Sequence, residues 1–382
     1  MIYLDNSATT YPKPQGVRQA VQRSFIEQGA NPGRSGYGMC LSTTRAVYRV
    51  RQLAAEFFGA PGPECVLFQP SCTQALNLVI KGFLKPGDHV VITDLEHNAV
   101  ARPLEAIKAR GVSYSVVPVT PGDNDATLDA FRKALGPKTK LAVCTMASNV
   151  FGIRVPVERI TALCHQYGMK VCVDAAQGAG LFPIHMEESG IDFLCCAGHK
   201  GLYGPMGTGL LLLREPEELL ETLVEGGTGT QSRSLLQPEE APERYESGTL
   251  NVPGILGLGA GIEFVRRRGV ERICEEELQK LRYLHGRLSR MGHVVLYTPA
   301  PQSSFSAPVL SFNVGGVPSE RVGDFLAKGG IAVRCGLHCA PLAHKKMGTL
   351  ETGTVRVSPS AFTRREDLDA LVLRLSHWRG EN

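Results

Sequence analysis

The chain has 382 residues, more than one small module needs, and its 43% hydrophobic and 20% charged residues suit a large buried core, not disorder. Forty-one Lys and Arg against 37 Asp and Glu leave a net charge of +4, which gives no support to a nucleic-acid surface. No stretch reaches the roughly 18 apolar residues of a membrane span, and Met1-Ile2-Tyr3-Leu4-Asp5 lacks the basic and apolar regions of a secretion signal, so the expectation is a cytoplasmic protein without membrane or nucleic-acid partners.

From Glu64 to Arg214 short apolar runs alternate with amphipathic ones. ECVLF, HVVITD, VSYSVVPV, KLAVCTM, MKVCVDAA, DFLCCAGHK and TGLLLLR read as strands, and 97 to 110 and 156 to 167 as helices. This alternation predicts a largely parallel sheet covered on both faces, with ligands at the C-terminal ends of its strands. The stretch from Gly226 to Gly254, rich in Gly, Ser, Thr and Pro, reads as a linker or a functional loop.

Beyond it the pattern changes. Apolar spacing predicts helices from about 253 and over 270 to 291, then strands at 293 to 298 and 308 to 314. A helix near 318 to 328, a short IAVR strand, the loop CGLHCAPLAHKKMGT, the strand TVRVS and a closing helix follow, with Thr363 and Glu366 spaced as a capping box. Arg266-Arg267-Arg268 reads as the solvated end of a helix, its cations near the negative pole. The whole reads as a larger α/β domain, 16–254, with a smaller α/β domain made of 1–15 and 255–382.

Eleven cysteines, an odd number scattered through apparent strands and helices, do not form a disulfide framework and suit a reducing compartment. Cys65, Cys144, Cys164, Cys172, Cys195 and Cys196 read as small core residues. The segment with most chemistry is 171 to 204. Asp174 ends one buried strand and His199-Lys200 ends a later one, so the three can meet at one sheet edge. A lysine amine can form an imine with pyridoxal phosphate, and an aspartate can keep the pyridine nitrogen protonated. Ser71-Cys72-Thr73-Gln74 opens a helix after a strand, which suits both a phosphate and a plain capping box.

Nine motifs taken in order, LDNSATTYPKP, SCTQALN, LEHNAV, SNVFG, VDAAQ, AGHK, SGTLN, RCGLHCAP and VRVS, resemble the class V aminotransferase family of fold-type I pyridoxal-phosphate enzymes, within it the cysteine desulfurase and selenocysteine lyase group. The resemblance spans nearly the whole chain. It implies a large domain with a mainly parallel seven-stranded sheet and pyridoxal 5′-phosphate as cofactor. By this resemblance Lys200 holds the cofactor, Asp174 partners its ring nitrogen, and His97 stacks on the ring and shuttles protons. Gln177 and Asn149 bond the phenolic oxygen, and Thr73 and His199 the phosphate. Thr249 is the donor contributed across a homodimer interface that the active site shares. Asn6, Arg334 and Arg356 meet the substrate, Arg356 by its carboxylate. Cys339 is the persulfide-forming thiol, with Cys335 a rival or resolving neighbour. His97 also has a reading as a plain helix-start histidine.

Two departures stand out. Ala197 lies where the family often has a hydroxyl for the phosphate, and Gly201 looks like an insertion after Lys200. A zinc site from Cys335, Cys339, His338 and His344 lacks the usual four-ligand spacing, so no metal is expected. The resemblance implies conversion of L-cysteine to L-alanine, with sulfur passing to Cys339 and on to an acceptor protein. Selenocysteine lyase, cysteine sulfinate desulfinase and a non-catalytic partner protein are the alternatives. A dinucleotide enzyme is excluded, since no G-x-G-x-x-G follows an early strand with an acidic residue about 20 positions on.

Overall fold

Seven apolar runs become seven strands of one sheet. The computed structural model describes residues 1–217 and 220–378. Its first half contains β1 (Ile2–Tyr3), α1 (Gln15–Glu27), α2 (Gly38–Phe58), β2 (Val66–Gln69), α3 (Cys72–Phe83), β3 (His89–Thr93), α4 (Asn98–Ile107) and β4 (Ser113–Val117). There follow α5 (Asn124–Ala134), β5 (Thr139–Thr145), α6 (Val157–Gln166), β6 (Lys170–Asp174), α7 (Met186–Ser189), β7 (Phe193–Ala197) and β8 (Gly209–Leu213). The sheet order is β2-β8-β7-β6-β5-β3-β4, parallel except where β8 runs against both its neighbours.

The continuous apolar runs follow from burial on both faces. Along β5, Ala142 and Cys144 enter one core with Val171, Val173 and Leu194, while Leu141 and Val143 enter the opposite one with Cys172, Phe193 and Cys195. Cysteine acts here as a small apolar residue: the six cysteines read as core are all buried, and all eleven are free thiols.

The second part holds α8 (Val252–Arg268), α9 (Val270–Leu288), β9 (Val294–Leu296), β10 (Leu310–Val314), α10 (Ser319–Lys328), β11 (Ile331–Ala332) and β12 (Arg334–Gly336). It ends with α11 (Pro341–Lys346), β13 (Thr354–Val357) and α12 (Arg365–Ser376). β12, β13, β10 and β9 form an antiparallel sheet whose core takes in leucines of α9 and α12. The chain's beginning joins this part: β1 pairs in parallel with β11, and Leu4 is fully buried in the same core.

Several expectations need correction. IAVR is two strands, because the chain leaves β11 for another sheet at β12. The loop after it contains α11, opened by a proline at its first position. The capping box lies one residue later than predicted: Asp367 accepts the Arg364 N–H, while Thr363 Oγ1 accepts from Ser360 N–H. The arginine run ends α8 as expected, with Arg266 and Arg267 on Glu263 and Arg268 on Glu276.

Candidate active site

The C-terminal ends of β5, β6 and β7 and the starts of α3 and α4 surround a cavity. Thr73, His97, Asn149, Asp174, Gln177, His199 and Lys200 all line it. Each arrives by a local rule. Asp174 is the last residue of a buried parallel strand, and His199-Lys200 follow another after a sharp turn. That turn needs glycine: a Cβ on Gly201 would come within 2.4 Å of the Ala179 carbonyl oxygen, and one on Gly198 within 2.2 Å of Thr208 Oγ1. The Tyr203 N–H donates to the Lys200 carbonyl at 2.8 Å, and Tyr203 itself has φ of 57°. Gly201 thus fits as a close-approach residue packed on the Ala179 turn.

Burial pushes the Lys200 ammonium below the ordinary lysine range, with Asp174 opposing the shift and Arg356 and Arg334 adding to it. His97 caps α4: its Nδ1 accepts the Ala99 N–H at 3.0 Å, leaving the ring proton on Nε2. Burial brings this imidazole down to about 4, so it is neutral at pH 7. The helix-start role and a place in the cavity therefore coexist. Ser71 likewise caps α3, accepting the Gln74 N–H at 3.2 Å, and Thr73 follows in the first turn at the positive end of the helix.

Two buried atoms in this cavity lack partners, Asn149 Oδ1 and His199 Nδ1. A buried polar atom without a partner is costly, so both atoms call for polar groups in this cavity. Burial also brings His199 down to about 4. Ala197 lines the same cavity without a hydroxyl. Asn149 and Gln177 each spend one amide N–H, on the His338 carbonyl at 2.8 Å and the Ser7 carbonyl at 3.1 Å, and each keeps a second.

The Cys339 loop closes over this edge. Asn98 N–H donates to the Cys339 carbonyl at 2.7 Å, and His338 and Cys339 both adopt the left-handed backbone, with φ of 51° and 55°. Cys339 is exposed, and Arg334 Nη2 lies 3.9 Å from its sulfur. Beneath it His338 stacks on His344, whose Nδ1 bonds Thr349 Oγ1 at 2.7 Å. Cys335 is not part of this group: its sulfur packs against Gly323 of α10, and burial pushes its thiol up to about 12. The four residues of the zinc reading therefore do not converge.

The substrate-side candidates are differently placed. Arg356 is 1% exposed, bonded to Asp5 Oδ1 at 2.6 Å and to the Asn149 carbonyl at 2.9 Å, with Nε unpartnered. Asn6 ties the Ser358 carbonyl to the Tyr11 N–H, which makes it a strut at the junction. Thr249 is exposed and lines a separate cavity with Gly207 and Asn251. Sequence reading passed over Asp5, Lys13 and Glu96, although each stands inside a quoted motif. Lys13 donates to the His199 carbonyl at 2.7 Å. Glu96 is fully buried beside His97, with Oε1 accepting from Thr93 Oγ1 and the Thr145 N–H and Oε2 unpartnered. Burial pushes its carboxyl up to about 8.

A seven-stranded α/β sheet with a lysine and an aspartate at adjoining strand ends, and a smaller antiparallel unit over them, defines the fold-type I architecture of pyridoxal-phosphate enzymes. The family model described as "Aminotransferase class-V" matches residues 2–371, and the chain belongs to that family. It is 37% identical over 383 residues to a "Probable cysteine desulfurase" of Mycolicibacterium paratuberculosis, covering 97% of this chain and 54% of that protein. The chain thus spans little more than half the length of that relative. A "Cysteine desulfurase" of Klebsiella pneumoniae is 34% identical, with 99% of this chain and 93% of that protein covered. The apo structure of a cysteine desulfurase from Thermococcus onnurineus superposes with a TM-score of 0.91 at 31% identity, covering 98% of this chain and 93% of that one.

Proposed function

We propose that the protein is a pyridoxal-phosphate-dependent cysteine desulfurase that converts L-cysteine to L-alanine and receives the sulfur on Cys339. The observation that carries this reading is a half-buried lysine and a buried aspartate lining one cavity, beneath a loop that presents an exposed cysteine beside an arginine. The orphaned Asn149 Oδ1 and His199 Nδ1 support a polar occupant of the cavity. The cofactor, when bound, supplies an electron sink for the charge left as a substrate α-proton departs.

In this reading Lys200 holds the cofactor, and its lowered pKa favours the neutral amine that reacts with an aldehyde. Once released by substrate, that amine is placed to take the α-proton. Asp174 faces the ring nitrogen, and Gln177 and Asn149 its phenolic oxygen. Thr73 and His199 hold the phosphate and His97 stacks on the ring, with Nε2–H as its available donor. Arg356, with Arg334, takes the substrate carboxylate, and Asn6 supports that side. Cys339 thiolate then attacks the substrate sulfur: the S–S bond forms as the C–S bond breaks. The carbon is reduced to alanine, the sulfur is oxidised to the persulfide level, and protons balance the exchange.

We also propose a homodimer whose partner supplies Thr249. Its support is the number of exposed apolar side chains, Tyr37 capping α2, Met39, Leu41 and Tyr48 within it, and Leu235 and Leu236 of the 226–251 loop, together with the exposed position of Thr249 outside the Lys200 cavity. Residues 1–15 with 255–382 form the small domain, supported by the β1–β11 pairing. The free thiols favour a reducing, cytoplasmic setting, where an acceptor protein would take the sulfur from the exposed loop.

The test supplies purified protein, pyridoxal phosphate and reductant with L-cysteine or L-selenocysteine and measures alanine. The expected result is alanine from cysteine in wild type and its loss in Cys339→Ala. Alanine chiefly from selenocysteine that survives Cys339→Ala would replace this reading with a lyase, and no alanine from either would overturn the enzyme class.

A further inference from the structure

Asp174 does not stand alone in the cavity. Cys72, the first residue of α3, is 7% exposed and lines the same space, with its sulfur 3.4 Å from Asp174 Oδ1. A carboxylate oxygen only accepts, so the thiol is the donor. The same Oδ1 accepts the Ala176 N–H at 2.9 Å, whereas Oδ2 has no hydrogen-bond partner among the described residues. Two donors therefore converge on one oxygen of a carboxylate that is 3% exposed, and the other oxygen is left over.

We propose that Cys72 is a positioning residue: its thiol and the Ala176 N–H pin Asp174 by Oδ1, which leaves Oδ2 free to partner the cofactor's ring nitrogen. This rests on the reading of Asp174 given above. A buried carboxylate is costly unless hydrogen-bonded, so the two donors hold Asp174 in one orientation. The start of α3 reinforces this, since Cys72 brings the positive end of a twelve-residue helix to the same carboxylate. The unpartnered Asn149 Oδ1 and His199 Nδ1 mark this cavity, independently of Cys72, as one that awaits a polar occupant. Burial first, and then Asp174, push the Cys72 thiol well above its ordinary range, so it remains S–H and cannot stand in for Cys339 as a nucleophile.

Two measurements on the holoenzyme test this. The infrared S–H stretch of Cys72, isolated as the difference between wild type and Cys72→Ser, is expected at the lowered frequency of a donor to carboxylate and to move back up in Asp174→Asn. The pyridoxal-phosphate dissociation constant is expected to rise about fivefold in Cys72→Ala, the loss of one modest hydrogen bond, and to return to within about twofold of wild type in Cys72→Ser, which keeps a donor. A free-thiol S–H frequency unchanged by Asp174→Asn, or Cys72→Ala retaining cofactor as tightly as wild type, would overturn the proposal alone. Failure of wild type itself to bind pyridoxal phosphate would overturn the cofactor reading and this proposal with it.

Discussion

Gly201 and Gly286 make opposite predictions for one chemical change. A methyl group on Gly201 meets a main-chain oxygen that has nowhere to go, whereas one on Gly286, inside α9, meets nothing within 4 Å. Gly201→Ala should destabilise by about 2–3 kcal/mol through overpacking and loosen the Lys200 turn. Gly286→Ala should be stabilising by about 0.5–1 kcal/mol, since it only removes backbone freedom. Denaturant titration of both variants checks the pair, and a Gly201→Ala protein as stable as wild type would contradict the packing argument. Single residues were also where sequence reading was most uneven. Lys200, Asp174 and His97 were legible because each closes or follows a distinct apolar run. The Cys72–Asp174 contact joins residues 102 apart and leaves no local trace. Cys335, four positions from Cys339, stood as its rival or resolving neighbour, but strand alternation sends Arg334 towards Cys339 and Cys335 to the opposite side, against Gly323.

At the scale of elements the Cys339 loop is the instructive case. Two successive non-glycine residues in the left-handed region store strain of about 1–3 kcal/mol each, and the loop keeps that shape because three ties hold it. Asn149 holds the His338 carbonyl, Asn98 holds the Cys339 carbonyl, and His338 rests on His344, itself bonded to Thr349. Burial takes His338 down to about 2, so this ladder is one of neutral rings. Thr349→Val should leave the fold intact but speed amide exchange across 337–340 and alkylation of Cys339. Unchanged exchange in that variant would show that the ladder does not hold the loop. Two of the three ties could not be read from CGLHCAPLAHKKMGT, because Asn149 follows β5 and Asn98 opens α4, and the third, His338 on His344 with Thr349, lies within the segment but has no spacing that marks it. Six of the seven sheet strands were readable as apolar runs, and the edge strand β4 by its Tyr and Val among serines. The largely parallel sheet holds, and the reversed strand β8 could not be singled out because apolarity carries no strand direction.

Across the whole molecule, buried titratable groups pull the pH dependence of stability in two directions. His97 and His199 near 4 and His338 near 2 are neutral when folded, while an unfolded histidine, near 6.5, takes up a proton. Their stabilisation is therefore present above about 6.5 and lost as pH falls below it. Glu96 and Glu277, both pushed up to about 8 by burial, are protonated when folded, while unfolded glutamate ionises near 4.5. Their contribution is present at low pH and is lost as pH rises from about 4.5 to 8. Over 4.5 to 6.5 the histidines, with His89 and His344 also lowered by burial, outweigh two glutamates, and from 6.5 to 8 the glutamates dominate, opposed at the top of that range by Lys13, which burial brings down to about 8. The apo protein's Tm should peak near pH 6.5, and Glu277→Gln should flatten the decline between 6.5 and 8. A Tm still rising through pH 8 would contradict this assignment.

The central claim is that sulfur taken from cysteine comes to rest on one exposed thiol among eleven. Peptide mass spectrometry of the pyridoxal-phosphate-loaded protein after a single exposure to L-cysteine, with thiols blocked before digestion, tests it most directly. The account predicts one additional sulfur atom on the peptide carrying Cys339, equal in amount to the alanine formed and absent in Lys200→Ala. Alanine formed with no added sulfur on Cys339, or with the sulfur on Cys335 or Cys72, would contradict it.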